Sequence, residues 1–376
     1  MDGGWPLEIN PPPLGQSSIV NTAEAAMVLS VTGRPLASDD PAVGFLRKAV
    51  IDHRKQRGDV TRFLSFAILG LRACGLGASD PSVVSIATEL RNRYDVAQRG
   101  WGERQGAAVS LFSTYYALEA LRRSELDAAE AIHGSVDAAR TMLQDSNYRA
   151  PLNSLVGGSL VGTAYAALIL SFGSPSGTES LRLQESLREL LAECCRTGAY
   201  IFLEPQPNAT WHHYALALGL RALARVSKTG HSSPLTLKYL GMALAAVLDT
   251  RGPVDGVFRE HHPNLRMVVI NVRSIYNYTT AIGELDDALR AASLLSAPAI
   301  RALEVPCPDQ GNGMPVPQLV PHVPASAPGI DEHERSRLYG RALALHLGVI
   351  LETSPNPVRV RIVRNLEPKR SCRCSW

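Results

Sequence analysis

The chain of 376 residues is 45% hydrophobic and 19% charged, a composition ordinary for a soluble globular protein. Its 38 basic and 35 acidic residues leave a formal charge of +3, so there is no electrostatic case for nucleic acid as the main partner. The longest apolar run, residues 160–172, is interrupted at Gly162 and Thr163 and falls short of the ~20 residues a membrane span needs. The N-terminus has neither the basic region nor the apolar core of a signal peptide, and six cysteines in so long a chain do not make a disulfide framework. These features predict a cytoplasmic protein without a membrane span.

Two stretches share one grammar. Residues 1–33 (MDGGWPLEINPPPLGQSSIVNTAEAAMVLSVTG) and 100–123 (GWGERQGAAVSLFSTYYALEALRR) each join a Gly-Trp turn to a helix whose small and apolar residues run all round. Repetition of this kind sets the fold before any other consideration. Six segments follow the same pattern of a polar or small cluster and then an Ala/Leu-rich helix: 18–31, 59–75, 110–123, 159–172, 208–226 and 274–295. Between them lie helices with a clearer polar face, at 40–56, 79–94, 125–145, 177–196 and 233–249. Asp39, Ser79 and Ser233 read as N-caps, with proline next or nearly next.

A helix that is apolar all round must be covered on every side, whereas an amphipathic helix can face water. The alternation therefore predicts an all-α, two-layer (α/α)6 toroid, an inner ring of helices within an outer ring. Residues 297–330 (APAIRALEVPCPDQGNGMPVPQLVPHVPASAPGI) are rich in proline and read as a long excursion. Residues 331–352 then supply a sixth outer helix. The remainder, 353–376, alternates Val358, Val360 and Ile362 with Arg359, Arg361 and Arg364, the pattern of an edge strand or extended basic tail. The expected organisation is one domain over 1–352 and a tail over 353–376.

The turn at Asp2–Trp5, the GWGE at Gly100–Glu103 and the Ser-x-x-x-Thr helix starts resemble the repeats of the squalene–hopene cyclase and protein prenyltransferase superfamily. That resemblance implies the same toroid with a central hydrophobic cavity, and structural roles for Trp5, Trp101 and Glu103 in the turns. Class II terpene cyclases of the superfamily protonate an alkene or epoxide with an Asp-x-Asp-Asp acid standing before an inner helix. Such a group must be un-ionised and held among hydrogen bonds. At the matching positions this chain has Val20, Phe112, Val161, Thr210 and Tyr276, and the second repeat offers Thr61 or Arg62. The nearest match is Glu284-Leu285-Asp286-Asp287, about two turns inside the sixth inner helix, so Asp286 and Asp287 are the alternative acids.

Prenyltransferases hold zinc with an Asp-x-Cys pair and a histidine, and the chain has no Asp-x-Cys. Cys194 and Cys195 diverge on a helix, Cys74 reads as core, and Cys372 and Cys374 make a weak metal signal in the tail. The expectation is therefore no metal and no cofactor. Gly100–Gln105 also resembles the thioester turn of complement-like toroids, but Trp101 replaces the cysteine.

The most concentrated polar and aromatic residues are Trp211, His212, His213 and Tyr214 at the head of the fifth inner helix. Arg273, Tyr276 and Tyr278 stand at the sixth, and Phe112, Tyr115 and Tyr116 at the third. Together they are candidate cavity or ligand-binding residues for an apolar, isoprenoid-like ligand or a peptide end. His212 is also a candidate catalytic group. Two functions follow: a non-catalytic sensor or scaffold binding a ligand, peptide or protein partner, by analogy within a bacterial multi-protein system such as defence, or a terpene cyclase-like enzyme with a displaced acid. A third, sugar-active reading would pair carboxylates among Glu204, Asp255 and Glu260.

Overall fold

A computed structural model describes residues 3–6, 17–31, 35–54, 60–150, 158–196, 212–228, 236, 259–262, 267–270 and 272–291. The described residues are mainly helical, with ten helices and one short antiparallel ladder. The chain divides into two compact units. The first comprises Met1–Leu7 and Gly15–Ser176, and the second Glu8–Leu14 and Gly177–Trp376.

In the first unit the helices are α1 (Ile19–Val31), α2 (Pro41–Arg54), α3 (Val60–Ala73), α4 (Pro81–Asn92), α5 (Leu111–Ser124), α6 (Ala129–Asp145) and α7 (Gly158–Leu170). The odd-numbered helices pack on one another in succession, α1 on α3, α3 on α5 and α5 on α7. Each even-numbered helix leans on its odd-numbered neighbours instead: α2 on α1 and α3, α4 on α3 and α5, α6 mainly on α7. Burial follows this layering. Helix α1 buries 11 of its 13 residues, while α4 buries only Val83, Ile86, Ala87 and Leu90, a single i, i+3, i+4, i+7 stripe. The helices that are apolar all round in the sequence are thus those that pack on one another in succession, and the one-sided helices are those that lean on them.

Small residues let the inner layer close up. A Cβ placed on Gly70 of α3 would come within 2.9 Å of both the Ala23 Cβ on α1 and a Leu46 methyl on α2, so only hydrogen fits there.

The caps differ from expectation by one residue. Asp40, not Asp39, accepts the Ala42 N–H at 3.0 Å, and Asp80, not Ser79, accepts the Ser82 N–H at 2.9 Å. The prolines explain the shift, because Pro41 and Pro81 occupy the first helical position and the cap is the residue directly before. Ser233 lies outside the described residues. Helix α6 also begins later than expected, since Glu125 adopts a left-handed conformation (φ 58°) that ends α5.

The second unit holds α8 (Gly177–Arg196), α9 (His212–Ser227), β1 (Arg259–His262), β2 (Met267–Ile270) and α10 (Val272–Ala291). Helix α9 packs against both α8 and α10. A buried polar ladder ties α8 inward: Thr236 Oγ1 donates to Gln184 Oε1 (2.8 Å), Gln184 Nε2 to Ser180 Oγ (3.2 Å), and Ser180 Oγ to the Val226 carbonyl (3.3 Å). The β1–β2 ladder pairs Arg259 with Ile270 and His262 with Met267. The sequence reading does not anticipate it. Its signal is the run Met267-Val268-Val269-Ile270, apolar and β-branched, after a Pro263-Asn264 dipeptide. The Pro-rich segment, the sixth outer helix at 331–352 and the tail at 353–376 lie outside the described residues.

Candidate functional site

Helices α1 and α5 of the first unit each start from a latched turn. In the 100–114 segment, the Ser110 N–H donates to the Trp101 carbonyl (3.0 Å) and the Trp101 N–H donates to Thr114 Oγ1 (3.0 Å). The Trp101 indole N–H reaches the Leu90 carbonyl at the end of α4 (2.8 Å). Ser110 Oγ in turn accepts the Ser113 N–H. The first copy repeats this: Ser18 N–H to the Trp5 carbonyl (3.1 Å), Trp5 N–H to Thr22 Oγ1 (2.9 Å), and Asn21 N–H to Ser18 Oγ (3.1 Å). Both tryptophans are fully buried.

The glycines of the two turns serve different ends. Gly3 takes a left-handed φ of +87°, but Gly102 is needed for space, since a Cβ there would run into the Ala107 and Ala108 carbonyl oxygens. Glu103 acts through its main chain: its carbonyl accepts the Thr61 N–H (3.1 Å), while Thr61 Oγ1 donates to the Gly102 carbonyl (2.7 Å), and its side chain is exposed.

A third latch went unnoticed in the sequence. Thr163 Oγ1 of α7 donates to the carbonyl of Tyr148, a buried aromatic at φ 62° (3.5 Å). The Ser159-x-x-x-Thr163 spacing equals that of Ser18–Thr22 and Ser110–Thr114, and Tyr148 stands where the other copies have tryptophan.

The positions where the sequence resemblance would place an acid carry no carboxyl among the described residues. Val20, Val161 and Tyr276 are buried, Thr61 is buried and spends its hydroxyl on Gly102, and Phe112 and Arg62 are half-buried. The first turns of α1, α3, α5, α7, α9 and α10 contain no acidic residue, whereas α6 and α8 carry Glu130 and Glu179 there.

Instead, α3, α5 and α7 share an aromatic face. Ring centroids are 4.7 Å apart for Phe66–Tyr116, 4.8 Å for Phe112–Tyr116, 5.7 Å for Phe112–Tyr165 and 5.8 Å for Tyr115–Tyr165. The Arg62 guanidinium carbon lies 5.4 Å from the Phe112 centroid and 5.9 Å from that of Phe66. Tyr115 was expected to line a cavity. It is fully buried and packs between α5 and α7 against Tyr165 and Phe172. Phe112 is half-buried. Phe66, Tyr165 and the cationic role of Arg62 were missed. A signal was present, since Phe66 follows Arg62 by one helical turn, as Tyr116 follows Phe112.

In the second unit, Glu284 of α10 accepts from Arg225 Nε of α9 (2.9 Å) and from Arg225 Nη2, and pairs with Lys228 Nζ (2.9 Å). Lys228 also holds Asp287 (2.7 Å). Burial pushes the Glu284 carboxyl up, but Arg225, by charge and hydrogen bond, with Lys228 and Arg221, outweighs it and brings the group down to about 2. Glu284 is therefore a fixed carboxylate, and Asp287 is an exposed partner of a lysine. Arg273 is half-buried in the first turn of α10. The His212 backbone opens α9, but Trp211 and the side chains of His212, His213, Tyr278 and Asp286 lie outside the described residues.

Buried charges that the sequence reading did not single out are Glu24 in α1, Glu119 in α5 and Arg221 in α9. Glu119 is held by Arg122 (2.8 Å) and Arg123 (3.1 Å). Among the described residues, no cluster of three or more His, Cys, Asp or Glu side chains is placed to hold a metal ion. No described helix is long and apolar enough to cross a membrane. No protein-family model matches the chain, and no curated protein matches it either.

Proposed function

We propose that the chain is a non-catalytic (α/α)6 toroid of the terpenoid-cyclase and prenyltransferase type, acting as a binding module for a ligand, peptide or protein partner. The layering of the first unit and its three latched turns support the scaffold half of this reading. One observation carries the functional half. Where the superfamily's reaction needs a protonated carboxyl, the described copies present valine, threonine, phenylalanine, tyrosine or arginine. Hydrocarbon and hydroxyl groups cannot donate the required proton, and a guanidinium does not give one up.

The half-buried Phe112 and Arg62, backed by the buried rings of Phe66, Tyr116 and Tyr165, give such a module a recognition surface. The terpene cyclase alternative would need Asp286 or Asp287 as the acid, and the ion-pair setting of Glu284 and Asp287 weighs against it. The test is recovery of the full chain from its native host, followed by mass spectrometry of what travels with it. A partner or small molecule held at a constant ratio supports the reading; a chain repeatedly recovered alone contradicts it.

A further inference from the structure

We propose that the crevice between the starts of α1 and α2 is a slot for a Gly-Gly-Trp segment, and that two copies of the chain pair by exchanging residues 3–6 into each other's slots. The exchange goes beyond the binding-module reading. It concerns the first unit alone, to which both the strap of residues 3–6 and the two helices belong.

The slot selects by shape and by hydrogen bonding. A Cβ on Gly3 would lie 2.5 Å from the Pro41 carbonyl oxygen, and one on Gly4 would lie 2.7 Å from Ser17 Cβ and 2.8 Å from the Phe45 ring. Contacts so short leave no room for a side chain at either position, and Gly3 also needs its left-handed φ of +87°. Position 5, by contrast, takes the largest side chain, and Trp5 is only 1% exposed. The main chain is held as an added strand would be. Trp5 and Ser18 form an antiparallel bridge, in which the Ser18 N–H donates to the Trp5 carbonyl (3.1 Å), and the Trp5 N–H donates to Thr22 Oγ1 (2.9 Å). A segment recognised by its backbone and one anchor makes the same contacts whichever chain supplies it.

Two features loosen the strap from its own chain. The Trp101 indole N–H is satisfied by the Leu90 carbonyl, whereas that of Trp5, equally buried, meets no acceptor among the described residues. A donor buried without an acceptor costs free energy that water returns on release, so the latch at Trp5 lets go more readily than the one at Trp101. In addition, four of the twelve residues between Trp5 and Ser18 are proline, at Pro6 and Pro11–Pro13. Their fixed φ favours an extended chain, while the Trp5–Ser18 bridge requires the two ends of this stretch to meet. Exchange between two copies removes that requirement and keeps every contact at the slot, the condition under which identical elements swap between protomers.

The experiment sediments the full chain over a rising concentration series, alone and after equilibration with an excess of the peptide Asp-Gly-Gly-Trp-Pro-Leu, the sequence of residues 2–7. A monomer–dimer equilibrium should appear, and the free peptide should fill the slots and shift it to monomer. Fluorescence anisotropy of labelled peptide reads binding to the full chain directly. Peptides carrying Gly4→Ala or Trp5→Ala should bind at least about tenfold more weakly and leave the dimer in place. A chain that stays monomeric throughout, or a dimer that the native peptide does not dissociate, overturns the exchange. Equal binding of the three peptides overturns the slot.

Discussion

Replacing Thr114 by valine tests the latch at the start of α5. The side chains are nearly the same size, so the change removes a hydroxyl and leaves the packing volume intact. In the folded protein Thr114 Oγ1 accepts the Trp101 main-chain N–H at 3.0 Å, in surroundings that expose only 3% of the threonine. Valine leaves that N–H buried without an acceptor, a cost of about 1–3 kcal/mol. The weaker contact from the same hydroxyl to the Trp101 carbonyl, at 3.5 Å, adds little. A cost of that size corresponds to about 5- to 150-fold in the local opening equilibrium. Amide hydrogen exchange at Trp101 reads it directly, and urea unfolding reads the same loss in the midpoint. Thr114→Ser keeps the acceptor and should retain most of the protection. Thr22→Val should cost as much at Trp5, because the Trp5 N–H to Thr22 bond is 2.9 Å and buried. Exchange at Trp101 that is unchanged in Thr114→Val would refute the latch.

Glu284→Gln should destabilise the protein at pH 7 by about 3 kcal/mol, from a carboxyl held near 2 rather than 4.5. A depressed carboxylate contributes fully above its unfolded value and loses that contribution as pH falls through about 2. Urea unfolding of both forms should therefore differ most above pH 4.5 and converge at pH 2; equal stability at pH 7 contradicts the ion-pair account. Gly70→Val places atoms where Ala23 and Leu46 already stand, and overpacking of this kind costs about 1–3 kcal/mol in thermal or urea unfolding. Cys74 is buried, and burial, with a smaller push from Asp40, lifts its thiol to about 12. It should resist iodoacetamide at pH 8 in the folded chain and react once the chain is unfolded in urea, as mass spectrometry of the peptide containing Cys74 will report.

The layers were legible because burial leaves a mark that a sequence preserves. Helix α1 has no polar side to turn to water, and α4 has one, so the two announce inner and outer positions before any contact is known. Helix ends were less legible. Asp39 and Asp40 are both sound caps by chemistry, and only the proline at position 41 decides between them. Tyr148 escaped notice because a tyrosine with a left-handed backbone does the work that tryptophan and glycine share elsewhere. At the candidate site, Phe112 was identified from its place at the helix head. Arg62 was weighed only as the wrong residue for an acid, because contact between a cation and rings on two helices is a property of packing, not of spacing. The Glu284–Asp287 run was found by composition. Its meaning came from Arg225 on α9 and Lys228 just past that helix's end, which pairwise distances alone reveal.

The proposed function holds that the chain, though it resembles cyclase repeats, lacks the cyclases' proton donor. Incubation of the full chain with squalene, farnesyl diphosphate and geranylgeranyl diphosphate, followed by product analysis, tests it most directly. The account predicts that each substrate is recovered without a cyclic product. A cyclic product that forms with the native chain and disappears in Asp286→Asn or Asp287→Asn would contradict it.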